Sequence, residues 1–360
     1  MNKRSLWNID LGLLLPVFVL LILSLITLFS VSFDLFINQL LFSVISLAAF
    51  VFFSQVNYKV LQLYGRHIYI VSIVLLVLVL LLGIESRGAI RWIEIFGFRV
   101  QFSEILKPFL AISLASYLAQ VKNTSFALLL KIFIFLSIIS FLIFVQPDLG
   151  SAVIYILVAF FTLIFFGFPI KYFLLSILSF VVVTPIAWKF LHDYQRERIL
   201  TFIDPGKDPL GTSYNAIQSI IAVGSGMFLG KGLGQGTQSS LSFLPERHTD
   251  FIFATISEQL GFIGAIIILI TFGLLLYKIF DISQSSDDPF CKIFSGTVFF
   301  IIFVQFFVNV GMNIGILPVV GVTLPFMSYG GSSLLSSFIL LGLLSSVQKV
   351  VKEKKVLEIR

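Results

Sequence analysis

Long apolar runs separated by short polar breaks dominate the chain. The runs are Leu11–Phe33, Asn38–Gln55, Ile68–Ile84, Glu104–Leu118, Phe126–Val145, Ser151–Phe168, Tyr172–Leu191, Phe251–Ile279, Ile293–Ile316 and Leu334–Val347. Most approach the roughly 20 residues that cross a bilayer as a helix. Backbone amides in hydrocarbon must be paired internally, so each run is expected to be helical. The pattern predicts an all-α polytopic membrane protein of about ten transmembrane helices in a single domain. A long loop, 192–250, separates the seventh and eighth runs. Before the last run, Pro318, Gly321, Pro325, Gly330 and Gly331 interrupt the pattern, which predicts a broken or re-entrant segment.

Composition agrees: 58% of residues are hydrophobic and 12% charged, against about 25% charged in soluble proteins. The net charge of +6 is spread over short loops and forms no stripe, which argues against nucleic acid. A single cysteine, Cys291, excludes an internal disulfide. Lys3 and Arg4 precede a first run that exceeds a signal-peptide core and lacks a clear cleavage site, so it is expected to span. Lys59, Arg66, Lys122, Lys171, Lys278, Lys292 and the tail lysines fall in alternate loops. The positive-inside rule therefore predicts that both termini are cytoplasmic.

The opposite, outer side carries cations that need a reason. Segment 85–103 holds Arg87, Arg91 and Arg99; segment 192–250 holds Arg196, Arg198, Lys207, Lys231 and Arg247. They contact either anionic headgroups or an anionic ligand. The run Tyr214–Met227 alternates at helical spacing and predicts a helix lying on or dipping into the membrane.

Nucleotide and metal chemistry find little support. Gly230-Lys231 lacks the flanking residues of a phosphate loop, with Ser225 and Gly232 where Gly and Ser or Thr are required. His67, His192 and His248 are far apart, and no nucleophile elbow or Asp-x-Asp pair occurs.

Three outer clusters remain. In the first, Arg91 and Trp92 precede Ser103, Glu104 and Lys107. Ser103 is placed to cap a helix, and Glu104 and Lys107 can pair on one face. A capped helix end with an interfacial tryptophan explains it equally. In the second, Gln146-Pro147-Asp148-Leu149-Gly150, Asp148 either caps the following helix or serves a site. In the third, Glu246, Arg247, His248 and Asp250 lead directly into an apolar run. A carboxylate at that border is a functional candidate, and an N-cap is the plainer alternative.

These residues carry a resemblance over nearly the whole chain. Asn309 to Ser333, Pro245 to Ala254, Phe202-Ile203-Asp204-Pro205, Asp208-Pro209 and Tyr214 resemble the shape, elongation, division and sporulation family of peptidoglycan polymerases, FtsW/RodA/SpoVE. Arg247 is similar to the elongation branch. The chain departs from the family at Phe102, where Pro is usual, at Gly97, displaced from its usual place, and at Gln259, where Glu is usual.

The resemblance implies lipid II as donor and polymerisation of glycan strands on the outer face of the bacterial cytoplasmic membrane, for elongation and rod shape. It implies Asp250 as catalytic base. Arg91, Lys107, Arg198, Lys231 and Arg247 are the implied pyrophosphate partners, with Trp92, Glu104, Asp148, Glu246 and His248 lining the substrate site. A divalent cation, Mg or Mn, held by Asp250 or Glu246 is an open expectation, as is a class B penicillin-binding protein, a transpeptidase, as partner. A lipid II flippase and a non-catalytic scaffold of the wall-synthesis complex are the competing readings.

Overall fold

The computed structural model describes residues 10–86, 89–95, 97–121, 125–189, 191, 193–208, 211 and 213–358. Lys3, Arg4, Arg87, Lys122, His192 and Pro209 lie outside them. The helices are α1 Leu11–Val31, α2 Phe33–Phe53, α3 Tyr58–Leu63, α4 Gly65–Leu82, α5 Phe102–Ile105, α6 Lys107–Ala119, α7 Phe126–Val145, α8 Leu149–Phe165 and α9 Ile170–Trp188. They continue as α10 Asp193–Ile203, α11 Tyr214–Ser225, α12 Thr237–Ser240, α13 Ile252–Gln284, α14 Pro289–Asn313 and α15 Gly331–Glu358. Among the described residues, eight helices are long and apolar enough to cross a membrane, counting α5 and α6 as one. The shorter apolar α8 and the helix α9 occupy the other two expected runs.

Burial separates a centre from a rim. The apolar window of α15 is 89% buried and that of α14 is 67%, whereas α2, α4 and α7 reach only 22%. The most buried helix, α15, carries small polar residues such as Ser332, Ser333, Ser336 and Ser337 within the bundle. The rim instead exposes Phe33, Phe52, Leu81, Phe133 and Phe141, as lipid-facing surface should.

Polar residues mark the two ends of the bundle. At one end, Asp10 caps α1 through the Gly12 amide, pairs with Lys278 at 3.3 Å and accepts from Gln348 Nε2 at 2.6 Å. At the other end, residues 84–101 form a three-stranded antiparallel sheet, β1 Ile84–Ser86, β2 Ala89–Ile95 and β3 Phe98–Gln101. Hydropathy predicts only a loop there. The strand signal is local: β-branched and aromatic residues flank Gly97, whose φ of 80° turns β2 back onto β3. The N-cap expectation for Ser103 is corrected. Helix α5 already begins at Phe102, so Ser103 sits in its first turn and its hydroxyl reaches Asp148 instead.

The expected long loop is mostly ordered helix and tight turn, and it repairs a break in α13. Gly261 has φ 66° and ψ −158°, which interrupts the helix. The freed groups find partners on the loop. Lys231 and Gly232 amides donate to the Glu258 and Gln259 carbonyls, and Phe262 and Ile263 amides donate to the Met227 and Phe228 carbonyls. This satisfies backbone that hydrocarbon could not. The backbones approach so closely that a β-carbon at Gly226 would run into the Ser257 carbonyl. The expected helix is present as α11 and packs on α13, and Met227, Phe228 and Leu229 beyond it stay exposed as an apolar tip.

Gly226→Ala is expected to lower the thermal unfolding temperature of the purified protein, since overpacking costs about 1–3 kcal/mol. Gly224→Ala, two residues away with nothing within 4 Å of its β-carbon, is expected to leave it unchanged or raise it. Equal effects at both positions would count against the repair.

Candidate active site

The polar end gathers three segments around Asp250. Its backbone carbonyl accepts from Asn309 Nδ2 at 2.9 Å and from Asn313 Nδ2 at 3.0 Å, two side chains one turn apart on α14. Asn313 also accepts from the Ala254 amide, and Asn309 donates to the Val322 carbonyl at 2.7 Å. Ser328 donates to the Thr249 carbonyl and accepts from the Leu324 amide, both at 2.7 Å. The Tyr329 amide donates to the His248 carbonyl. The turn 246–250 is thus stitched through its backbone to α14 and to the irregular segment 314–330. That segment is broken, as expected, with positive φ at Gly315, Gly321, Phe326 and Gly330, and Val322, Leu324, Phe326 and Met327 are buried.

The Asp250 side chain caps nothing: Phe251 occupies the N-cap position of α13, with no side-chain cap bond. Its carboxylate Oδ2 lies 3.5 Å from where a β-carbon on Gly321 would sit, and the Arg198 guanidinium 4.0 Å from the same point. A β-carbon there would sit in ordinary contact with both, and it is the φ of 71° that favours glycine at this position. Burial, then the Glu246 charge, push the Asp250 pKa up to about 6, against the opposing pull of Arg198 and Arg91. Glu246 stands in a tight turn with φ 52°, accepting from the Thr249 hydroxyl at 3.0 Å.

Around this carboxylate the structure brings together most of the residues expected from sequence. Arg91 on β2 lies 3.7 Å from Asp148 and leaves its Nε buried without a hydrogen-bond partner. Arg247 likewise has a buried, unpartnered Nε, and burial lowers its pKa. The His248 ring packs edge-on against Tyr329 at 5.6 Å between centroids. Trp92 sits in register with Gln101 at the centre of the sheet. Asp148 does cap α8, through the Ser151 amide at 3.2 Å, and also receives Gln101 Nε2 at 2.9 Å.

Two expected pyrophosphate partners are engaged elsewhere. Lys107 donates to Glu104 at 2.6 Å, and both are buried. Lys107 lines a cavity between α6, α7, α8 and α14 with Tyr155 and Thr297. Lys231 lies 3.6 Å from Glu258 and donates to Thr237 at 3.0 Å. Glu258, wholly buried, accepts the Gln238 and Ser239 amides at 2.8 and 2.9 Å. Lys231 therefore helps hold the loop that repairs α13. Among the described residues no three His, Cys, Asp or Glu side chains group to hold a metal ion. Asp250 and Glu246 are two carboxylates, enough for Mg²⁺ where ligand phosphates and water supply the remaining oxygens.

Asn313, Gln101 and Tyr329 carry structural roles that sequence reasoning missed. Asn309 and Asn313, four apart inside an apolar run, were the available signal, because such residues in a span face protein and hold partners.

Glu258→Ala strands two amides and a lysine, and losing one partner of a buried pair costs roughly 3–5 kcal/mol. Limited proteolysis is expected to cut the segment 231–245 faster in this variant. Cleavage at the wild-type rate would contradict the anchoring role.

The comparisons with known proteins fit this geometry. The family profile described as cell cycle protein, FtsW/RodA/SpoVE, matches residues 4–353. The peptidoglycan glycosyltransferase MrdB of Escherichia coli K12 is 38% identical, over 96% of each chain. A chain from a solved peptidoglycan synthase complex that coordinates polymerization and crosslinking superposes with a TM-score of 0.84 at 30% identity, covering 96% of this chain and 99% of that one. The crystal structure of Thermus thermophilus rod shape determining protein RodA shares the fold, with a TM-score of 0.73 at 24% identity over 95% of this chain and 97% of that one. The chain belongs to the FtsW/RodA/SpoVE family.

Proposed function

We infer that the protein is a peptidoglycan glycosyltransferase of the bacterial cytoplasmic membrane, with both termini in the cytoplasm, and that the Asp250 end of the bundle faces outward. Its donor is lipid II and its product a growing glycan strand. Curated relatives carry that activity in their names. The observation that carries the reading is the Asp250 carboxylate itself. It is half-buried, caps no helix, is held in place through its backbone, and stands among arginines.

The donor carries an α-linked pyrophosphate and the product is β-1,4 linked, so one inverting displacement suffices. The acceptor hydroxyl oxygen bonds to the anomeric carbon while the bond to pyrophosphate breaks. The hydroxyl proton passes to Asp250, and undecaprenyl pyrophosphate leaves with the electron pair. Arg91, Arg198 and Arg247 are the cations best placed for the departing charge, since guanidinium matches phosphate in a two-point fork. A divalent cation bound with the donor would neutralise further pyrophosphate charge.

Charged groups support synthesis over transport. They lie at the two ends of the bundle, one set around Asp250 and another at the opposite end, where Asp10 pairs with Lys278 and accepts from Gln348. A class B penicillin-binding protein is the proposed partner, because the product needs crosslinking and the similar solved chain belongs to a complex that does both.

Asp250→Asn should fold and insert but lose glycan-chain formation from lipid II by about 10²–10⁴-fold, the usual worth of a general base. In the wild type, the base works only when ionised. Activity should therefore fall as pH drops through about 6, the raised Asp250 value. Near-wild-type chains from the Asn variant would overturn the assignment. Loss of wild-type activity on chelation, together with metal binding that disappears in the Asn variant, would instead identify the carboxylate as a metal ligand.

A further inference from the structure

Asp148 has more contacts than a helix cap requires. The cap to Ser151 uses Oδ1 alone. Oδ2 receives Gln101 Nε2 at 2.9 Å and the Ser103 hydroxyl at 3.4 Å, and Arg91 Nη1 approaches Oδ1 at 3.7 Å. The carboxylate is 3% exposed, its oxygens are taken by protein donors, and its charge would repel a phosphate. It is therefore poorly suited to touch an anionic donor, although sequence placed it among the substrate-binding candidates. Arg91 is different. Its side chain is 31% exposed, and its Nε has no hydrogen-bond partner. Asp148 faces Nη1 as an ion pair at 3.7 Å and Nε is buried, so the exposed edge of the guanidinium is the part left to reach a phosphate.

The surroundings make this arrangement stiff. Gln101 and Arg91 come from adjacent strands and meet at the same carboxylate. The Gln101 amide donates to Ser332 Oγ at 3.0 Å, which pins the end of β3 to the first turn of α15. Gly150, two residues after Asp148, abuts the Val320 backbone with no room for a β-carbon. The next residue along that segment is Gly321, the glycine facing Asp250 and Arg198.

We propose that Asp148 is a positioning residue: it ties the sheet to α8 and orients Arg91 so that the guanidinium meets the donor pyrophosphate beside Asp250. The proposal rests on reading this face as the donor site.

The test is a double-mutant cycle on binding rather than turnover, with undecaprenyl pyrophosphate titrated into purified Asp148→Asn, Arg91→Ala and the double variant. Asn caps a helix about as well as Asp, so Asp148→Asn spares the cap and removes the charge. Arg91→Ala should weaken binding on the order of tenfold or more. Asp148→Asn should also weaken it, and the double variant should bind like Arg91→Ala alone. A silent Asp148→Asn would return the residue to a cap, and a loss that persists undiminished without Arg91 would show that it acts independently; either overturns the proposal. If Asp148→Asn fails to fold, Gln101→Leu removes the other tether on the carboxylate, and its binding loss must likewise vanish in the Arg91→Ala background. Binding does not need a base, so normal polymerisation by Asp250→Asn would sink the base assignment and leave this cycle standing.

Discussion

Two asparagine side chains on α14, Asn309 and Asn313, hold the backbone carbonyl of Asp250, and the arrangement of the polar end follows from that contact. A carboxylate needed for chemistry cannot also be anchored by its own oxygens without losing basicity. Here the anchor is the main chain, so the side chain stays unencumbered. The same asparagines bind the Ala254 amide and the Val322 carbonyl. They thereby fix the start of α13 and the irregular segment in one stroke. Each such bond is worth about 1 kcal/mol net, but leaving any of these buried groups unpaired costs about 1–3 kcal/mol. The network therefore persists as a unit.

Electrostatics at this end follows from the same packing. Burial and Glu246 raise the Asp250 pKa, and Arg198 and Arg91 restrain the rise. The carboxylate is left a better base than a solvated one while remaining ionised near neutral pH. Two other charge pairs, Lys107 with Glu104 and Lys231 with Glu258, are neutralised within the protein. Arg91 also stands beside a carboxylate, Asp148, at 3.7 Å, but a guanidinium can face a carboxylate on one edge and still offer a planar fork that suits phosphate better than lysine does.

Much of this was legible in the sequence and some was not, for identifiable reasons. The spanning helices follow from apolar length alone, which the bilayer dictates. The Glu104–Lys107 pair follows from helical spacing, and Asp148 as a cap from its place before Leu149. Asp250 stood out because charge at a hydrocarbon border is costly. The sheet was hidden because a short hairpin beside long apolar runs barely changes hydropathy. Ser103 lies two positions past the N-cap, Gln101, and its hydroxyl meets Asp148, a contact distant in sequence that no local pattern shows. The repair of α13 by loop 226–232 was invisible for the same reason: Gly261 lies inside an apolar run, and only the fold reveals what replaces its hydrogen bonds. Lys231 read as a free cation because its partner, Glu258, is distant in sequence.

As a lipid II polymerase, the protein would hold its donor between the sheet, the Asp250 turn and the irregular segment, at one end of the bundle. A photoreactive phenylalanine analogue at Trp92, on the sheet, and another at Tyr277, which is 70% exposed near the opposite end, test that directly. Irradiation of the purified protein with labelled lipid II should give a specific adduct at position 92, suppressed by excess unlabelled lipid II, and none of that kind at 277. Equal competable labelling at both positions, as a path through the membrane would give, or none at 92 in a protein that still makes glycan chains, would contradict it.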